Sequence, residues 1–161
     1  MVEPSVLPPY PQSLAGRLLA AREAVMAPIR PILRAAGMTD QQWRVVRVLS
    51  EADGPLDAST VAEAALLHAP SVTRVVRELE DRGLLSRAAD PADRRRSVIA
   101  ISEAGEALVR DTAAQTSIML SRYGEAFGKE RLARFIAEAA ALSEALSAFA
   151  PSDVASSREG V

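Results

Sequence analysis

Apolar positions along this chain recur every three or four residues over most of its length, with one strand-like interruption near the middle. Leu14, Leu18, Ala21, Val25, Ile29 and Ile32 make one stripe, which predicts a helix closed by Gly37. Pro28 and Pro31 lie inside that stripe. Each removes a backbone donor, so the helix should kink or break near its last two turns. Thr39 and Gln42 stand in capping-box spacing and start a second helix. On it Val45, Val48, Leu49 and Ala52 share one side, with Trp43, Val46, Arg47 and Ser50 roughly opposite. Asp53-Gly54-Pro55 ends it as a turn. Asp57 then stands ready to N-cap a short third helix, from Ala58 to about Leu66.

A fourth helix opens at Pro70, whose missing N–H would be unpaired in a first turn anyway. Val72, Val75, Val76 and Leu79 form its apolar face, and Gly83 stops it. Leu84 to Ala88 and Ser97 to Ile101 flank a polar loop and predict a hairpin, the only strand signal in the chain. Ser102 caps a long fifth helix running to about Tyr123, with Gly124 and Gly128 breaking it. The last helix carries Leu132, Phe135, Ile136, Ala139, Leu142, Leu146 and Phe149. Four of the ten prolines fall in residues 1–11, which read as an extended arm. Residues 150–161 read as a flexible polar tail. The fold class is mainly α with a small β-hairpin, in a single domain over residues 1–161.

Composition narrows the chemistry. A 161-residue chain with 48% apolar and 25% charged residues is an ordinary globular domain. It has no apolar run long enough to cross a membrane, and the first twelve residues lack the pattern of a secretory signal, so a cytoplasmic protein is expected. Without cysteine there is no disulfide framework, thiolate metal site or thiol redox sensor. A single histidine, His68, leaves no donor set for zinc, and no cofactor is expected. Neither GxGxxG nor GxxxxGK[ST] is present, nor a Ser/His/Asp set, so nothing points to an enzyme.

The net charge of −2 conceals an uneven distribution. Residues 68–101 carry seven arginines against five acids, while both flanking segments are net negative. A short helix, a tight link, a second helix and a hairpin follow the order of a winged helix-turn-helix, whose second helix enters the DNA major groove. Pro70, Arg74 and Arg77 lie opposite the apolar face of the fourth helix, with Ser71 and Thr73 on the flanks. The acids Glu80 and Asp81 come only at its C-terminal end. Arginine can fork to guanine O6 and N7, and helix N-termini attract phosphate. At the hairpin tip, Asp93-Arg94-Arg95-Arg96 clusters guanidiniums that a narrow minor groove would stabilise, with Asp93 able to hold Arg95 by a fork-like ion pair. A merely solvated face is the competing account of Arg74 and Arg77. His68, at the link, reads as a helix-capping or phosphate-contacting side chain, with a pH switch as the alternative.

Four stretches carry a resemblance: MTDQQWRVVRVL (Met38 to Leu49), APSVTRVVRELEDRGLLSR (Ala69 to Arg87), Asp93-x-Arg95 followed by SVIAIS to Ser102, and SEAGEAL (Ser102 to Leu108). They resemble the MarR family of bacterial winged-helix transcription regulators, over about residues 12–148. The stretches Thr39 to Arg47 and Ala21 to Leu33 look most like regulators of homoprotocatechuate degradation operons. The resemblance implies a winged helix-turn-helix with N- and C-terminal dimerisation helices, residues 12–37 and 102–149, around a lobe over 39–101. It implies a homodimer on a pseudo-palindromic double-stranded DNA operator. Ser71, Thr73, Arg74 and Arg77 would enter the major groove, and Arg95, with Arg94, the minor groove. The exposed seam of the last helix independently favours association.

The resemblance further implies release from DNA by a small aromatic carboxylate bound between the dimerisation helices and the lobe. Arg17 and Arg22, bordering the first stripe, could pair with its carboxylate, and Met26 and Trp43 could wall its ring. Alternatively Arg17 and Arg22 make intersubunit ion pairs and Trp43 is core. A different class of function, a dimeric scaffold without a sensor or without useful DNA binding, would share the same fold.

Overall fold

The computed structural model describes residues 7–90, 93 and 97–148. The chain divides into two compact units, one reaching Ser117 and one beginning at Ile118.

In the first unit a short 3-10 turn, Tyr10–Gln12, precedes α1 (Leu14–Met26), where a wholly extended arm was expected over residues 1–11. Residues 1–6 lie outside the described residues. Pro28 and Pro31 break the long first helix as their lost donors require: a turn over Ala27–Ile29 leads into a separate α2 (Arg30–Ala35). Only the far end of the stripe enters the core, through Ile29 and Leu33 rather than Ile32. Leu14, Leu18, Leu19 and Val25 remain exposed. Gly37, at φ 67°, closes α2 as expected; the Met38 N–H reaches the Leu33 carbonyl at 2.8 Å.

Next comes α3 (Asp40–Ser50), opened by the expected capping box of Thr39 and Gln42. Trp43 and Val46 are buried along with Val45 and Leu49, while Val48 is only half-buried. The two-sided split read from periodicity is therefore corrected. This helix packs against α2, α4, α5 and β3, which cover it on more than one side.

A two-residue strand, β1 (Leu56–Asp57), escaped the sequence reading and leads into α4 (Ala58–Ala64). Then follow α5 (Ala69–Asp81), β2 (Leu85–Ala89) and β3 (Ser97–Ile101). The antiparallel sheet has the order β1-β3-β2, with Leu56 opposite Ile99 and Leu85 opposite Ile101. The core gathers Val45, Val46, Val61, Val72, Val75, Val76, Leu79 and Ile99, each at most 1% exposed.

Ser102 caps α6 (Glu103–Phe127), accepting from the Gly105 N–H at 3.1 Å while its hydroxyl donates to the Gly83 carbonyl at 2.7 Å. A side chain at Gly105 would meet the Leu84 carbonyl and Ile101, so the wing rests directly on this turn. The expected break at Gly124 is not there: α6 runs through it and ends at Gly128, whose φ is 95°. Glycine lowers helix stability without forbidding helical angles; termination comes where positive φ is needed.

The second unit holds the end of α6 and α7 (Lys129–Ser147), which buries none of its residues. Phe127 and Phe135 meet edge to face at 6.5 Å, with the Arg131 guanidinium 4.4 Å over the Phe127 ring. Phe135, Ile136 and Leu146 are exposed. Among the described residues no helix is long and apolar enough to cross a membrane.

Candidate nucleic-acid interface

The site is built on the α4–turn–α5 segment. Asp57 caps α4 as expected, accepting from the Thr60 N–H at 2.8 Å. The turn is closed by Leu66 at φ 52°, a left-handed position normally given to glycine. From α3, Arg44 donates through Nη1 to the carbonyls of Ala65 and Leu66, at 2.8 and 3.0 Å. One guanidinium thus satisfies the exposed carbonyls at the end of α4. Because Leu66 is 82% exposed, replacing it by glycine sacrifices little packing. Leu66→Gly is expected to stabilise the lobe by roughly 0.5–1 kcal/mol, seen as a higher urea midpoint. A lower midpoint would show that the leucine side chain contributes more than its strained backbone costs.

His68 occupies the N-cap of α5, but its side chain makes no capping hydrogen bond, which corrects that part of the expectation. Only its carbonyl serves the helix start, accepting from the Ser71 and Val72 N–H groups. Val72, Val75, Val76 and Leu79 are fully buried. This seats α5 on the core and turns Pro70, Thr73, Arg74 and Arg77 outward; Ser71 is half-buried. Thr73 returns its hydroxyl to the Ala69 carbonyl at 3.2 Å. Asp93 is exposed in the wing loop; Arg94, Arg95 and Arg96 lie outside the described residues. Arg87 of β2 reaches Glu80 of α5 at 3.3 Å, tying wing to helix.

Sequence reasoning missed Glu78. It accepts from Arg74 Nη1 at 2.7 Å and from the buried Gln42 amide at 2.9 Å. Arg74 Nη2 also donates to Gln41 Oε1 at 2.8 Å. The i,i+4 spacing of Arg74 and Glu78 was visible in the sequence, whereas the Gln42 link spans 36 residues and was not. As an exposed pair with arginine first, Arg74–Glu78 adds only a few tenths of a kcal/mol, on the order of 0.3. Its interest is geometric.

The four expected effector residues are spread more widely. Arg17 is exposed on α1, and Met26 is half-buried at the end of that helix. Trp43 is 8% exposed, with the Arg47 guanidinium 6.0 Å over its ring. Arg22 joins an ion cluster: it lies 2.8 Å from Glu23 and 3.9 Å from Asp40, while Arg30 bridges the same acids at 2.7 and 3.2 Å. Beside this cluster an open cleft of about 400 Å³ is lined by Arg30, Arg34, Met38, Thr39, Asp40, Gln41 and Arg74. None of Arg17, Arg22, Met26 and Trp43 lines it.

Hydrogen bonding from Arg30 holds the Glu23 carboxyl below its ordinary range, and the same bond raises Arg30. A carboxylate lowered on folding stabilises above its unfolded pKa, and that contribution is lost as pH falls through the folded value. Glu23→Gln is therefore expected to lose this contribution at neutral pH and to match the wild type once pH falls below the folded value, so that its stability depends less on pH below the ordinary glutamate pKa. Parallel pH–stability curves for the two proteins would remove the cluster's role.

A helix, a tight turn, an outward arginine-bearing helix seated on a valine core, and an antiparallel wing define a winged helix-turn-helix DNA-binding protein. Residues 36–96 match the sequence model of the MarR family. The HTH-type transcriptional regulator FarR of Neisseria gonorrhoeae is 36% identical over 132 residues, covering 80% of this chain and 90% of FarR. The homoprotocatechuate degradative operon repressor of Escherichia coli is 39% identical over 106 residues, 66% of this chain and 70% of the repressor. The crystal structure of NadR in complex with 4-hydroxyphenylacetate shares 33% identity at a TM-score of 0.73, covering 84% of this chain and 97% of that one. The chain belongs to the MarR family of transcription regulators.

Proposed function

We propose that this chain is a homodimeric repressor that binds a pseudo-palindromic DNA operator and is released by a small aromatic carboxylate. In this reading Pro70, Ser71, Thr73, Arg74 and Arg77 approach the major groove, and Asp93, Arg94 and Arg95 serve the minor groove. The protein catalyses no reaction and works in the cytoplasm, where bacterial DNA is. The observation that carries it is the outward face of α5, opposite four fully buried residues on a helix whose N-terminal half carries no acid. Dimerisation is supported by the apolar side chains left uncovered on α1 and α7. Two-fold symmetry then sets half-sites about one helical turn apart. The aromatic carboxylate is supported by the printed ligand of NadR and by the operon controlled by the Escherichia coli repressor.

Fluorescence anisotropy on the DNA upstream of the protein's own gene tests this, across salt and with hydroxyphenylacetates and hydroxybenzoates. Binding well above that of random DNA, falling steeply with salt and released by one acid, is the expected result. Binding that no acid disturbs would remove the effector class and keep the DNA role.

A further inference from the structure

Three successive residues at the start of α3 each make a different tie. Asp40 meets the Arg22–Arg30 cluster, Gln41 meets Arg74, and Gln42 meets Glu78. The Gln42 amide cannot turn round: its Oε1 already accepts from the Thr39 N–H at 3.0 Å, so its NH₂ must face Glu78. Glu78 is thereby fixed, and its second oxygen grips Arg74. With Gln41 on the other nitrogen, the guanidinium is held by two acceptors although its side chain is 59% exposed. A free arginine would lose much rotamer entropy on binding; this one is already ordered. Two of its five N–H donors are engaged, which leaves three for DNA acceptors.

Resting on the DNA-reading role assigned to Arg74 above, we propose that Gln41 and Glu78 are positioning residues that set the protein's base specificity by aiming the Arg74 guanidinium. Their action goes through Arg74, and neither need touch DNA. A purely electrostatic role for Glu78 has the opposite consequence. Removing a carboxylate from a surface facing a polyanion would strengthen binding to every sequence.

The full chain is first used to select its preferred duplex from a randomised pool. Each single base-pair substitution of that duplex is then measured by anisotropy with wild type, Arg74→Ala, Glu78→Gln, Gln41→Ala and the Arg74→Ala/Glu78→Gln double variant. Glu78→Gln and Gln41→Ala are expected to lower discrimination about tenfold at the base pair whose preference Arg74→Ala abolishes, and nowhere else. The double variant should lose no more there than Arg74→Ala alone. Gln41→Ala changes no charge and lies outside the core, so its effect separates aiming from electrostatics and from folding. Unaltered discrimination in both single variants, or a uniform rise in affinity for Glu78→Gln, overturns the positioning role while Arg74 still reads DNA. Unaltered preferences in Arg74→Ala overturn the DNA-reading assignment and the positioning role with it.

Discussion

Arg74→Ala is expected to weaken binding to the preferred operator by about 1–3 kcal/mol per half-site, roughly 5- to 150-fold, and to relax sequence preference at one base pair. The reason is geometric. Arg74 leaves an α5 whose opposite face, Val72, Val75, Val76 and Leu79, has no exposed surface, so the helix cannot roll to present another side chain. The guanidinium is moreover held by Glu78 and Gln41, and a forked donor set at a fixed place suits two acceptors on one guanine. Arg77 makes a contrast on the same face. If it meets phosphate, Arg77→Ala will weaken all duplexes alike and reduce the salt slope by about one, without changing base preference. Anisotropy titrations at several salt concentrations, on operator and scrambled duplexes, separate the two. A uniform loss in Arg74→Ala would turn Arg74 into a phosphate contact.

The second large effect concerns stability. Leu79→Ala is expected to cost about 2–5 kcal/mol, because a fully enclosed leucine leaves a cavity that helix and sheet close only in part. Leu79 is fully buried on α5, a helix that packs on α3, α4 and β2, and its carbonyl accepts from the Leu84 N–H at 3.0 Å as the chain turns into the wing. Truncation there loosens α5 and the root of the hairpin together. Urea unfolding should show a lower midpoint with an unchanged slope. A cost under about 1 kcal/mol would mean that α5 is not clamped by this core. The exposed Arg77, by comparison, should change stability by less than about 0.5 kcal/mol when truncated.

Much of the lobe was legible because its governing interactions are short in sequence. The Thr39–Gln42 box, the Asp57 and Ser102 caps, the proline in the first turn of α5 and the glycine closures at 37 and 83 act over a few residues. The valine face of α5 was readable for the same reason. Where local reading went astray, a neighbour distant in sequence had decided. Trp43 and Val46 are buried because several elements surround α3, not because of α3's own periodicity. Gly124 continues a helix that composition alone would have ended there. At Leu66 the turn takes a left-handed residue with no glycine to announce it.

The amino-acid sequence by itself determined the order of the main helices and the hairpin, the buried stripe of α5 and the outward arginines, because hydrophobic period and capping chemistry are local. It also marked an apolar seam on the last helix, which the structure leaves exposed, as it does Leu14, Leu18, Leu19 and Val25 of α1. The tertiary structure alone decided that Leu56 would pair with Ile99, that Arg44 would close the turn before α5, and that Gln42 would hold Glu78 and through it Arg74. Apart from the Arg74–Glu78 pair, those contacts join residues tens of positions apart. A single hydrogen bond at such a separation leaves no periodic trace; it forms only after the core has brought the two helices together.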